Sequence, residues 1–156
     1  MGVTGAGKTT IGRLLADELG WEFADADDFH SAANKEKMSR GIALDDADRE
    51  PWLEAIRAAL IQWSAADQNV VLACSALKSI YREKLEIGPE VTFVYLKGSY
   101  ETIFQRLLSR HGHFATEKIL RSQFEALEEP ADAIEVDVGK SPVEIVSEIR
   151  ERLKLS

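Results

Sequence analysis

The sequence predicts an α/β fold of three layers, a mostly parallel central sheet flanked by helices. Three observations predict it. Segments with helical apolar spacing alternate with short extended ones along the whole chain. The clearest extended segment, Val70, Val71, Leu72 and Ala73, is continuously apolar, as a strand buried on both faces must be. The 156 residues are 45% hydrophobic and 29% charged, a mix that fits one domain with one core, residues 1–156. There is no internal repeat, no low-complexity tract and no linker rich in Pro, Gly or Ser.

The first helix is predicted over residues 8–19, because Ile11, Leu14, Leu15 and Leu19 recur at helical spacing and Gly20 stops it. Residues 21–24 read as a short strand, and 34–40 as a short helix ended by Gly41. Asp45 or Asp46 can cap the next helix, whose apolar stripe is Trp52, Ile56, Leu60 and Trp63. A strand follows at 69–74, a helix at 78–85 and a strand at 91–96. Ser99 can cap a helix reaching Arg110; 111–116 reads as a loop and 117–127 as a helix. Residues 134–138 form the last strand, and Pro142 opens a helix to about residue 153.

The N-terminus carries the chemistry. Gly2-Val3-Thr4-Gly5-Ala6-Gly7-Lys8-Thr9 has the spacing of a phosphate-binding P-loop. Glycines let the backbone curl so that its N–H groups face an anion, and the following helix adds its positive N-terminus. Lys8 is expected to reach the β- and γ-phosphates and Thr9 to place a hydroxyl on Mg²⁺. The nucleotide-binding set is therefore Gly2, Val3, Thr4, Gly5, Ala6, Gly7, Lys8, Thr9 and Thr10. The motif implies a nucleoside triphosphate and a small-molecule kinase of three-layer P-loop fold. Such a loop normally follows a buried strand, yet only Met1 precedes Gly2. The expectation is that the first core strand is missing from this chain, through a longer natural N-terminus or a start assigned to an internal methionine, unless another segment fills its slot.

Asp25 and Asp27 stand two apart at a predicted strand end, so both project to one side. Ligands of parallel sheets bind beyond the carboxyl ends of strands, which points the pair at the phosphate loop. One carboxylate can support Mg²⁺ and the other can orient and deprotonate a hydroxyl. The competing reading is a solvated acidic turn with Asp28 as a cap. Residues 70–74 end without an aspartate, which leaves Asp25 as the better Mg²⁺ candidate.

Further segments carry a resemblance. They are Asp25-Ala26-Asp27-Asp28-Phe29-His30, Asn34-Lys35-Glu36-Lys37-Met38, and Leu44-Asp45-Asp46-Ala47-Asp48-Arg49-Glu50-Pro51-Trp52-Leu53. Ala73-Cys74-Ser75-Ala76-Leu77-Lys78, Tyr81-Arg82, Tyr95-Leu96-Lys97-Gly98, Arg106-Leu107 and Arg110-His111-Gly112-His113-Phe114 follow. Ser122-Gln123-Phe124-Glu125-Ala126-Leu127-Glu128-Glu129-Pro130 completes the set. Together they resemble the gluconokinases of the shikimate-kinase-like group. That resemblance implies ATP- and Mg²⁺-dependent phosphorylation of D-gluconate at its 6-hydroxyl, in a nucleoside-monophosphate-kinase-like fold. It implies a substrate-binding helical segment at about 28–66, a mobile lid at about 110–122 and a homodimer. By motif position Asp27 holds the acceptor hydroxyl and Asp25 supports the metal. His30 either bonds a gluconate hydroxyl or braces the turn. Arg49 suits gluconate's carboxylate, or else pairs with Asp45 or Asp46. Ser75, Ala76 and Lys78 lie just beyond a predicted strand end, where they can reach substrate. Arg106 and Arg110, four apart, share a helix face: one stacks on adenine and the other meets the phosphates, unless both are only solvated. Lys118 and Arg121 add charge to the lid, and Gln123 either contacts substrate or is an exposed helical residue. Shikimate kinase is the nearest rival, and a non-catalytic nucleotide-binding module the rival from another class.

Composition narrows the partners. The net charge of −8 and the lack of a basic block argue against nucleic acid. No apolar run approaches the roughly 20 residues that span a bilayer. One cysteine, Cys74, forbids an internal disulfide and suits a cytoplasmic setting; with apolar neighbours it reads as core. His111 and His113 suggest zinc only if a third ligand exists, and none is apparent.

Overall fold

The computed structural model describes residues 1–110 and 112–154, without the side chains of residues 114 and 115. Helix α1 spans Lys8–Leu19, and Gly20 ends it in a left-handed conformation. Strand β1, Glu22–Asp25, leads into a single 3₁₀ turn, Ala26–Phe29. Helices α2 (Ala32–Ser39) and α3 (Asp46–Ala65) follow, then β2 (Val70–Ala73) and α4 (Ser79–Leu85). Strand β3 (Val94–Lys97), α5 (Tyr100–Leu108), α6 (His113–Ala126), β4 (Ile134–Asp137) and α7 (Pro142–Arg152) complete the chain. Among the described residues no helix is long and apolar enough to cross a membrane.

Every strand pair is parallel, as expected, but the ladder falls into two pairs. β1 pairs with β2, aligning Asp25 with Ala73, and β3 pairs with β4. Residues 1 and 2 bridge them. The Met1 amino group donates to Val94 O at 2.6 Å, Met1 O accepts from Leu96 N at 2.9 Å, and Gly2 N donates to Ser75 O at 3.3 Å. Behind this bridge lies a cavity of about 540 Å³ lined by β2, Phe93, Ile11, Leu15 and Ile149 among others. Among the described residues no further strand joins the two pairs.

Two apolar clusters hold the molecule. One joins α1, α5, α6, α7 and the β3–β4 pair through Ile11, Leu15, Ile103, Leu107, Leu120, Val136 and Val146. The other gathers Trp52, Leu53 and Ile56 of α3 with Tyr81 and Leu85 of α4 beneath Ala26 and Cys74. Asp45 caps α3 through a reciprocal box with Asp48, as the sequence suggested. Two differences from the expected boundaries bear on the site. Arg110 lies in a turn beyond α5, because Ser109 closes the helix and its hydroxyl folds back onto Arg106 O, so Arg106 and Arg110 do not share a helix face. Part of the segment expected as a loop is the first turn of α6. Gly112 acts as its N-cap instead of a breaker, and Thr116 and Leu120 anchor it by complete burial. His111, named with this segment, lies outside the described residues.

Candidate active site

The site forms along one edge of the sheet, where β1, β2, β3 and β4 all present their carboxyl ends. The phosphate loop runs from Gly2 to Thr9. Gly5 has φ +80°, and a Cβ there would sit 2.7 Å from Leu107 Cγ. The loop thus needs glycine twice over, for its backbone angle and for its packing on α5. Gly7, at φ +97°, begins α1 with no side chain on the helix amides. Those N–H groups are left for an anion. Thr9 and Thr10 stand exposed at the same helix start. Lys8 turns back on the loop: its Nζ donates to Gly2 O and Val3 O, each at 3.0 Å. Burial lowers its pKa, while Cys74, Asp27 and Asp25 oppose that shift.

Asp25 ends β1 and accepts a bond from Asp27 N at 3.0 Å, which locks the 3₁₀ turn that carries Asp27. The Asp27 carboxylate is open to solvent. Its pKa is raised, first by surrounding protein and then by the charge of Asp25, with His30 and Lys8 pulling the other way. The turn rests on a buried brace. His30 stacks on Trp52 with ring centroids 4.4 Å apart and planes at 9°. Trp52 Nε1 donates to Ala26 O at 2.7 Å. Asn34 Nδ2 donates to Asp48 O at 2.7 Å and lies 3.4 Å from His30 Nδ1. Burial lowers the His30 pKa, so the ring is neutral at pH 7. The geometry favours the bracing reading of His30, and a ring bonded at Nδ1 still has Nε2 to offer.

A second group flanks the first. Arg49 Nη1 donates to the Tyr81 hydroxyl at 3.0 Å, and that hydroxyl donates to Asp46 Oδ1 at 2.5 Å. Lys78 Nζ reaches the same Asp46 oxygen at 3.2 Å. Arg49 therefore meets Asp46 through Tyr81 rather than as a direct ion pair. One cation, Lys78, and the Tyr81 phenol converge on one carboxylate oxygen, and Arg49 backs the phenol, an arrangement of donors that suits a carboxylate. Ser75 lies between this group and the phosphate loop, its carbonyl bonded to Gly2 N. The next residue, Ala76, is buried at φ +44°, a strained angle for a residue with a Cβ.

The remaining predicted residues sit on and around α5 and α6. Arg106 Nη2 donates to Val138 O at 2.5 Å, just past β4. Arg110 is exposed in the turn before α6. His113 lies edge-on to Phe104, and Arg121 pairs with Glu117 at 2.6 Å. Gln123 accepts a bond from Thr4 N at 3.2 Å, which puts it on the phosphate loop. Cys74 is buried, and burial pushes its thiol up to about 11, so it remains protonated core. Among the described residues no cluster of three His, Cys, Asp or Glu side chains could hold a metal. Thr9 and Asp25 carry hard oxygen donors, the kind that suits Mg²⁺.

Sequence reasoning missed Tyr81 and Asp46 as site residues. Their signal was faint: Asp46 and Arg49 stand three apart on α3, and Lys78 and Tyr81 three apart at the start of α4.

A phosphate loop beside a carboxylate pair, both at the carboxyl edge of a parallel sheet, defines a P-loop phosphotransferase. The sequence model of the shikimate kinase family matches residues 4–154. A probable gluconokinase of Mus musculus is 45% identical over 175 residues, covering 99% of this chain and 95% of that protein. A sugar kinase from Janibacter sp. HTCC2649 superposes with a TM-score of 0.89 at 41% identity, covering 100% and 92% of the two chains. A gluconokinase from Sinorhizobium meliloti 1021 gives 0.84 at 38%, covering 99% and 93%. The chain belongs to the gluconokinase family, within the shikimate-kinase-like P-loop kinases.

Proposed function

We propose that this chain transfers the γ-phosphoryl group of ATP to the 6-hydroxyl of D-gluconate, giving 6-phospho-D-gluconate. The observation that carries the reading is Asp27, a carboxylate of raised proton affinity fixed within electrostatic reach of Lys8. Similarity to gluconokinases over nearly the whole chain supports the acceptor.

The roles follow from position. The amides of the phosphate loop and α1, residues Gly2 to Thr10, cradle the phosphates. Lys8 exchanges its two loop carbonyls for phosphate oxygens. Thr9 and Asp25 would hold the Mg²⁺ of Mg-ATP, which would supply charge neutralisation. Asp27 accepts the hydrogen bond of the acceptor hydroxyl, aligns it for in-line attack and takes its proton. Arg49 and Lys78, with Tyr81, receive the gluconate carboxylate; Ser75 and His30 Nε2 are placed for its hydroxyls. Arg106 flanks adenine, and Arg110, on a lid at about 110–122, meets the transferring phosphoryl. Lid closure excludes water and suppresses ATP hydrolysis. A cytoplasmic location and a homodimer complete the reading and rest on family resemblance.

The deciding experiment is a coupled ADP-release assay with ATP and Mg²⁺ against gluconate, shikimate and nucleoside monophosphates. Gluconate is expected to be the acceptor that drives turnover. Preference for shikimate would change the acceptor, and no acceptor-dependent release would leave a nucleotide-binding module.

A further inference from the structure

Arg82 is a buried cation that the mechanism above does not use. Only 8% of it is exposed. Among the described residues no carboxylate lies within ion-pair distance of it. Its guanidinium spends its donors on backbone instead. Nη1 donates to Ala76 O at 2.7 Å and Leu77 O at 3.1 Å, and Nη2 donates to Glu128 O at 2.7 Å. Burying a charge among neutral carbonyls is costly, so the geometry it enforces needs a reason.

That geometry concerns the loop between β2 and α4. The loop contains the left-handed Ala76 and carries Ser75 and Lys78. Glu128 grips it from the other side: Glu128 N donates to Leu77 O at 2.8 Å, and Glu128 Oε1 accepts from Ser79 N at 2.8 Å. Lys78, the N-cap of α4, makes no side-chain cap bond, so Glu128 supplies from a distance what the local sequence lacks. Five residues before Glu128, Gln123 holds Thr4 N of the phosphate loop. Residues 123–128 therefore touch both loops.

We propose that Arg82 is the positioning residue of the acceptor loop. It holds residues 75–78 in their strained shape and fastens them to segment 123–128, which also holds the phosphate loop through Gln123. Acceptor loop and nucleotide loop share one post, and Arg82 is the bolt on the acceptor side. It rests on the functional reading above for the acceptor's identity but not for its geometry.

The test measures KM for each substrate separately in Arg82→Ala, Arg82→Lys and Glu128→Ala, with circular dichroism and ATP-analogue binding as checks on folding. Arg82→Ala is expected to raise the gluconate KM by about tenfold while the ATP KM stays within about twofold, because the lost bonds shape only the acceptor side. Arg82→Lys should recover part of this, since an ammonium can reach one carbonyl but cannot span three. If Arg82→Ala does not fold, Glu128→Ala decides, because that side chain is exposed and its removal leaves the core intact; a rise of about threefold in gluconate KM alone is expected. A gluconate KM unchanged in a folded variant, or both KM values rising together, overturns the proposal. Wild-type turnover in the acceptor panel tests the functional reading independently. Were another acceptor preferred, the same split would be read on that acceptor.

Discussion

Asp27 meets two opposed demands. As the acceptor of a proton it must be ionised, yet surrounding protein and Asp25 raise its pKa. A carboxylate whose folded pKa lies above its unfolded value contributes stability that is complete below the unfolded pKa of 3.8 and is lost as pH rises through the folded one. Ionised Asp27 therefore destabilises the fold at neutral pH. Asp27→Asn is expected to lose about 10²-fold or more in turnover while raising the melting temperature at pH 7, and that gain should vanish near pH 3. Lower stability of the variant at pH 7 would contradict this account. Lys8→Ala should lose a comparable share of turnover, but with ATP binding weakened, whereas Asp27→Asn largely spares it; calorimetric titration separates them. Lys8 stood out in the sequence by the spacing of the phosphate loop, and Asp25 and Asp27 by standing two apart downstream of that loop. Tyr81 and Asp46 were not, because their meeting depends on how α3 packs against α4.

At the scale of elements, the phosphate loop is the least forgiving. Gly5→Ala adds a methyl 2.7 Å from Leu107 at a positive φ, and is expected to cost about 1–3 kcal/mol in a denaturant melt along with nucleotide affinity. Helix α3 offers a milder test. Asp45→Ala removes the reciprocal cap and should cost about 1 kcal/mol with kinetics nearly unchanged. Helices with strong local signals, α1 with its apolar stripe and Gly20, or α7 with Pro142, were read almost to the residue. Strand β3 was placed three residues early, because Val91 enters a turn closed on Gly88 O that apolar content cannot reveal. The start of α6 was hidden for a related reason. Gly112 can break or cap a helix, and the burial of Thr116 and Leu120, a tertiary fact, decides which.

For the molecule as a whole, the residues proposed for nucleotide and acceptor share one sheet edge, and a ligand bound there by the folded state alone raises global stability. A non-hydrolysable ATP analogue at about 100 times its Kd should stabilise the wild type by about 2.7 kcal/mol in a thermal or chemical melt. The same ligand concentration should leave Lys8→Ala nearly unmoved. The α/β class and the parallel pairing were legible from helix–strand alternation. Which strand pairs with which was not, because a strand's partner is a tertiary fact that its own residues do not reveal.

The bridge at residues 1 and 2 ties the phosphate loop to both strand pairs. Val94 and Leu96 hold Met1 on the side of β3, and the Ser75 carbonyl holds Gly2 just past β2. The joint between the two pairs is therefore the entry to the phosphate loop itself, so any strain that parts the pairs is felt first where that loop begins.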